Sequence, residues 1–199
     1  ATTSITVMDT IKLAPLVEGG VAPVLSNYWK DVEPIASDDG SASISVTAPS
    51  GGSNMTELKT DGSAVNRFML PDGTLSQVNI PAGASINLNR DASTSVEMLL
   101  SDESTLYSQV AVTGEMSIGV SNEGKGVNVK ASSGASLEIA PDGTSNIVSP
   151  PQTNDDGTVT SITTQLKPDG SLQIDLGSSG TVSTPVSYTH LRAHETQQH

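Results

Sequence analysis

Cysteine is missing from all 199 residues, which excludes disulfides, thiolate nucleophiles and zinc sites built on cysteine. Aromatic residues make up only 3%. A core must therefore be assembled from Val, Ile, Leu, Ala and Met, which bury less area per residue than rings do. Repetitive β folds manage this by stacking aliphatic rows, whereas most compact enzymes use aromatics as well. Positive charge is scarce too: 9 Lys and Arg stand against 22 acids, for a net charge of -13. Such a surface repels nucleic-acid phosphates and anionic lipid headgroups, so the expectation is no nucleic-acid partner. No stretch approaches the roughly 20 apolar residues of a membrane-spanning helix, and no membrane insertion is expected. The first residue is Ala1, and no charged-then-apolar leader opens the chain.

Histidine is confined to the last fourteen residues, 186–199. There the chain reads Val-Ser-Tyr-Thr-His-Leu-Arg-Ala-His-Glu-Thr, followed by Gln197, Gln198 and His199. The eleven-residue run from Val186 to Thr196 resembles the one-frame translation of the adapter used in transposase-based sequencing libraries. Pro185 before it and the three residues after it are compatible with the flanking bases. The resemblance implies a non-native, adapter-derived tail in a metagenomic fragment whose gene continues past Pro185. It also removes the one metal-like constellation. His190 and His194 stand at i, i+4 with Glu195 beside them, a spacing that suits two ligands on one helical face. On this reading that spacing is an accident of codons, and residues 1–185 hold neither His nor Cys.

What is present in abundance is alternation. Ile44-Ser45-Val46, Val78-Asn79-Ile80, Ile86-Asn87-Leu88, Val127-Asn128-Val129, Leu137-Glu138-Ile139 and Leu172 to Leu176 place apolar and polar residues with period two. That is the signature of strands with one buried and one wet face. No window sustains i, i+3, i+4 spacing, and Ser, Thr, Asn and Gly are poor helix-interior residues. Asp-Gly followed by Ser or Thr occurs six times, at Asp39, Asp61, Asp72, Asp142, Asp156 and Asp169. Pro71, Pro141 and Pro168 precede three of them. Pro pre-sets φ at the first central turn position, Asp tolerates the next, and Gly supplies positive φ. This is the chemistry of three-residue hairpin loops that end in a Gly bulge. The Asp-Gly spacings of 22, 11, 70, 14 and 13 residues are too irregular for a strict solenoid period.

The predicted fold class is all-β, either a short-stranded β-solenoid-like stack or a β-sandwich of hairpins with Asp-Gly turns. Residues 1–49 form an N-terminal extended or irregular segment with some strand, including Thr3 to Met8. Residues 50–54 read as a linker or loop, 55–185 as a β-rich repetitive domain, and 186–199 as the adapter-derived tail. Ser149 to Asp156 reads as a second loop around Pro150-Pro151.

Calcium is the cofactor that the Asp-Gly motifs approach most nearly. An EF-hand-like loop needs oxygen ligands three and five residues before its Gly. Ile35, Glu57, Phe68, Glu138, Gln152 and Gln165 stand five before, and no Asp-x-Asp/Asn-x-Asp/Asn-Gly series is formed. Asp38-Asp39 and Asn154-Asp155-Asp156 could gather a cation between neighbouring loops, but plain turns are the preferred reading. No cofactor, metal site or catalytic residue is therefore assigned. Nucleophilic catalysis would need a Ser-Lys pair, drawing on Lys12, Lys30, Lys59, Lys125, Lys130 or Lys167, and no helical Ser-x-x-Lys is visible. The carboxylates Glu97, Asp102, Glu103, Glu115 and Glu138 read as solvated strand faces and turns rather than a glycosidase pair. Gly124-Lys125-Gly126 reads as a hairpin tip, not a phosphate cradle. Tyr28-Trp29 is the exposed-aromatic candidate for a binding hot spot, with capping of the core preferred.

In composition the body resembles large repetitive bacterial surface proteins and adhesin stalks. The functional expectation is a non-enzymatic structural or spacer segment of a larger secreted or cell-surface protein. The alternatives are a module binding a glycan or protein receptor, as in an adhesin or phage fibre, and a fragment of an extracellular enzyme with its active site elsewhere.

Overall fold

The computed structural model describes residues 35–176 throughout and, outside them, only the backbones of five short strands. No helix occurs among the described residues, and the protein is all-β. Two large sheets face each other. One runs through β4 (Ile35–Ala36), β5 (Ala42–Thr47), β6 (Ser53–Leu58), β7 (Ala64–Met69) and β8 (Leu75–Ile80) as an antiparallel meander. The chain then crosses to the second sheet for β9 (Ser85–Leu88), β10 (Thr94–Leu99), β11 (Thr105–Val110), β12 (Met116–Asn122) and β13 (Lys125–Ala131). It returns to the first sheet as β14 (Ser136–Ile139), β15 (Ser145–Val148), β18 (Thr163–Leu166), β19 (Leu172–Asp175) and β20 (Thr181–Thr184). A separate hairpin, β16 (Gln152–Thr153) with β17 (Val159–Thr160), interrupts that return. The backbones of β1 (Ser4–Ile5), β2 (Asp9–Lys12) and β3 (Val24–Asn27) extend the second sheet beside β9. That of β21 (His190–Arg192) runs parallel to Asn128–Lys130 of β13. The rest of 186–199 lies outside the described residues.

The period-two pattern drives this architecture. Ile44 and Val46 in β5, Val78 and Ile80 in β8, and Leu137 and Ile139 in β14 turn inward from the first sheet. Ile86 and Leu88 in β9, Leu106 in β11, Ile118 in β12 and Val129 in β13 meet them from the second in one aliphatic core. Phe68, fully buried, is the ring within it, and it fits because Gly52 beside it has no side chain. A Cβ on Gly52 would stand 2.6 Å from the Phe68 ring. Facing sheets with in-plane antiparallel neighbours make a sandwich, which removes the solenoid-like alternative.

A period is nevertheless present. Positive φ recurs at Gly40, Gly51, Gly62 and Gly73 in the first sheet, and at Ala92, Glu103 and Gly114 in the second, always eleven residues apart. Strands of six residues joined by five-residue connections produce it. The Asp-Gly count misses it because several connections lack that dipeptide: Ser50-Gly51, Asp91-Ala92, Asp102-Glu103 and Thr113-Gly114. The four-residue strands β9 and β14 shorten the period where the chain changes sheets. Residues 50–54, expected as a linker or loop, are a hairpin turn and the start of β6: Ala48 N–H donates to Gly52 O (2.7 Å) and Gly51 N–H to Ala48 O (2.8 Å).

Candidate functional site

The Asp residues of the connections have a local job. In the turn from Ser37 to Ser41, Gly40 N–H donates to Ser37 O (3.0 Å) and Ser37 N–H to Ser41 O (2.8 Å). Asp39 Oδ1 accepts the Ser41 hydroxyl (2.6 Å) and the Ser41 N–H (2.9 Å). Asp61 with Ser63, Asp156 with Thr158 and Asp169 with Ser171 repeat both bonds. These donors hold the Asp39, Asp61, Asp156 and Asp169 carboxyls below the ordinary aspartate value, the hydroxyl having the larger effect. Asp72 is lowered chiefly by the Thr74 N–H. The same geometry occurs without glycine, since Asp102 binds the hydroxyl and N–H of Ser104 across Glu103.

Of the calcium candidates, Asp38-Asp39 sits between β4 and β5, and Asn154-Asp155-Asp156 at the tip of the β16–β17 hairpin. Asp39 and Asp156 are each engaged within their own turns. Among the described residues no three His, Cys, Asp or Glu side chains are grouped to hold a metal ion. Glu97 pairs in register with Tyr107 on the second sheet, whereas Glu138 belongs to the first sheet. Glu115 begins the approach to β12, and Asp102-Glu103 form the β10–β11 turn. The tip expected at Gly124-Lys125-Gly126 lies one step earlier: Glu123 and Gly124 carry the positive φ, and Lys125 and Gly126 are already in β13. Lys59 and Lys167 each open a turn, Lys125 and Lys130 sit on β13, and the side chains of Lys12 and Lys30 lie outside the described residues. So do Tyr28 and Trp29. Tyr107 lies over Gly119, its register partner on β12, where a Cβ would come 2.5 Å from the ring.

One surface feature went unread in the sequence. The strands β8 and β14 lie side by side and parallel, with Asn79 opposite Glu138. Their chains diverge at the same end. After β8 the chain leaves for the other sheet through Pro81 and Ala82, while after β14 it turns through Pro141 into β15. No hairpin closes that end of the pair. A groove of about 370 Å³ opens there, bounded by Val65, Asn79, Pro81, Ala82, Glu138 and Pro141. Lys59 and Asp61 also line it. The only local hint is a Pro soon after each of two alternating segments, at Ile80-Pro81 and Ala140-Pro141; the pairing of the strands is long-range.

Two asparagines flank Glu138 in register, and of the two only Asn79 lines the groove. Asn79 Oδ1 accepts from Gln77 Nε2 (3.1 Å). Asn146, opposite Glu138 on the other flank, accepts from Gln165 Nε2 (3.2 Å) through its own Oδ1. Asn79, Glu138 and Asn146 thus stand in one row across β8, β14 and β15.

No protein-family model matches the chain, and no curated protein matches it. Two solved structures resemble it weakly. The G-box domain of the microcephaly protein CPAP has 12% identity and a TM-score of 0.18, over 78% of this chain and 99% of that one. The TCP10 domain of Danio rerio CPAP, solved with a peptide of Danio rerio STIL, has 12% identity and a TM-score of 0.12, over 80% and 100%.

Proposed function

We propose that this chain is a non-enzymatic structural segment of a larger secreted or cell-surface protein, one that spaces or presents other parts. The observation that carries the reading is the eleven-residue strand-and-turn unit, which builds two facing sheets with little besides aliphatic rows and self-satisfied Asp turns. Such a unit supplies stiffness cheaply in sequence. Its turn carboxylates are engaged by their own Ser and Thr neighbours rather than left converging on a reacting atom. The net charge of -13 suits an exposed, salt-bathed surface. On the same reading, 186–199 is an adapter-derived tail with no part in this role.

The absence of cysteine permits a clean test. Cys introduced at Thr74 and Thr144, in the β7–β8 and β14–β15 turns, would carry a donor and acceptor dye pair. The spacer reading expects one narrow distance distribution, unchanged by millimolar calcium or by chelator. A broad distribution, or one that narrows with calcium, would overturn it.

A further inference from the structure

We propose that Asn54 is an acceptor for N-linked oligosaccharide whose modification the fold excludes, so that the exported chain folds by a route free of N-linked glycosylation. The exclusion stands on geometry alone; the statement about the route rests on the secreted or cell-surface reading. Of the ten asparagines in the chain, Asn54 alone has Ser or Thr two residues on, in Asn54-Met55-Thr56, and no Pro stands between. That is the acceptor pattern for N-linked glycan, which ordinarily marks a surface loop. Here it falls on β6, an inner strand of the first sheet with β5 and β7 on either side. Asn54 is 1% exposed and Thr56 2%. The half-buried Asn79 and Asn146 and the exposed Asn154 would be easier targets, but Pro81, Val148 and Asp156 stand two residues after them.

The atom that would react is the atom the fold uses. Glycan transfer joins Asn54 Nδ2 to C1 of the first sugar. The bond from that C1 to a lipid pyrophosphate donor breaks, and one amide proton leaves with the pyrophosphate. Unmodified, Nδ2 carries two N–H donors. They go to Ala92 O and Thr94 Oγ1, each at 2.6 Å, across to the second sheet. Modification removes one donor and puts a sugar into the gap of about 10 Å between packed sheets. Val46 and Phe68 flank Asn54 in register on β5 and β7, and both are buried. Rotating the amide offers no escape. Oδ1 accepts from Asn66 Nδ2 at 2.8 Å, so a flipped amide would set Nδ2 against that donor and Oδ1 against Ala92 O.

Chain order exposes the acceptor early. The partners of Asn54 lie 38 and 40 residues further along. During synthesis from the N-terminus the amide therefore stays free until the β9–β10 turn has been made. A glycosylating compartment would meet the acceptor pattern before the fold could bury it.

The test makes the full chain in two ways. One is a bacterial lysate. The other is a lysate with rough microsomes, the chain following a cleavable leader, with and without an inhibitor of lipid-linked oligosaccharide synthesis. Occupancy of Asn54 is read by mass before and after deglycosylation, and folding by limited proteolysis across residues 35–176. The unmodified chain is expected to be protected from both sources. The glycosylated chain is expected to be cut at least about tenfold faster, with protection restored by the inhibitor. Thr56→Val removes the acceptor pattern and keeps Asn54, so it is expected to leave the microsomes unmodified and protected without inhibitor. If Thr56→Val unfolds by itself, the inhibitor arm decides. Three results overturn the proposal: a glycosylated chain as protected as the unmodified one, no glycan on Asn54 in microsomes, or no protection of the unmodified chain from the microsomes with inhibitor present. None of these alters the dye-pair distance in the bacterially made chain, so the spacer reading is judged separately.

Discussion

The first sheet and the second solve the same turn with different residues. Gly40, Gly51, Gly62 and Gly73 occupy the positive-φ position between β4 and β8, while Ala92 and Glu103 occupy the equivalent place between β9 and β11. An L residue held there costs roughly 1–2 kcal/mol relative to Gly. Strand length and hydrogen bonding thus set the connection, and glycine only lowers its cost. The compensation at Ala92 comes from the opposite sheet. Asn54, buried on β6, donates through Nδ2 to Ala92 O and to Thr94 Oγ1, each at 2.6 Å. Its Oδ1 accepts from Asn66 Nδ2 at 2.8 Å. Ser76 makes a similar clasp, donating to Gly114 O (2.6 Å) and accepting from Gly134 N–H (3.0 Å). The sheets are therefore joined by polar clasps at the turns as well as by the aliphatic core.

The largest break in this comparison is expected inside the core. Phe68→Ala removes the ring that fills the space above Gly52 on the first sheet. A loss of about 3–5 kcal/mol is expected in chemical denaturation. An equal loss from Leu106→Ala on the second sheet would show that the ring has no special place. Next is the clasp. Asn54→Ala strands the buried carbonyl of Ala92 and should cost about 1–3 kcal/mol. Combined with Ala92→Gly, which relieves the backbone, the cost should shrink; strict additivity would show that Asn54 does not support that turn.

The turns themselves give opposite signs at equivalent positions. Gly73 has open space where a Cβ would stand, so Gly73→Ala isolates backbone strain and should destabilise by about 1 kcal/mol. Glu103→Gly should stabilise by about 0.5–1 kcal/mol. If both substitutions move the unfolding midpoint the same way, the equivalence of the two sheets fails.

How much of this was legible follows from range. Period-two alternation and Pro-Asp-Gly chemistry are local, so the all-β class and the placing of turns such as Pro71-Asp72-Gly73 could be read directly. The eleven-residue period was hidden because Ala92 and Glu103 break the glycine rule, and they can do so only through partners such as Asn54 and Ser104. The reading of 50–54 as a linker or loop fits the turn at 50–52 but not Ser53 and Asn54, which begin β6. Ser-Gly-Gly-Ser-Asn is flexible in isolation, but Gly52 is needed for close approach to Phe68, and Asn54 is a buried clasp. The groove depended on β14 returning beside β8, a pairing between residues 77–79 and 136–138 that no local pattern announces.

The smallest effect concerns pH, and it asks whether the Asp turns of both sheets act alike. Asp39, Asp61 and Asp72 of the first sheet and Asp102 of the second all have carboxyls held below the ordinary value of 3.8 by the Ser or Thr two residues on. A group whose folded pKa lies below its unfolded one binds its proton more readily when unfolded. Its stabilisation is therefore complete above the unfolded value and disappears as pH falls through the folded one. The melting temperature should be flat near neutrality and decline below about pH 4. Each group is exposed, so each contribution is small and screened, and the decline gathers from several turns. Replacing Asp39, Asp61 and Asp72 with Ser should flatten it more than replacing Asp102 alone. An undiminished decline in the triple variant would place the acid sensitivity outside these turns.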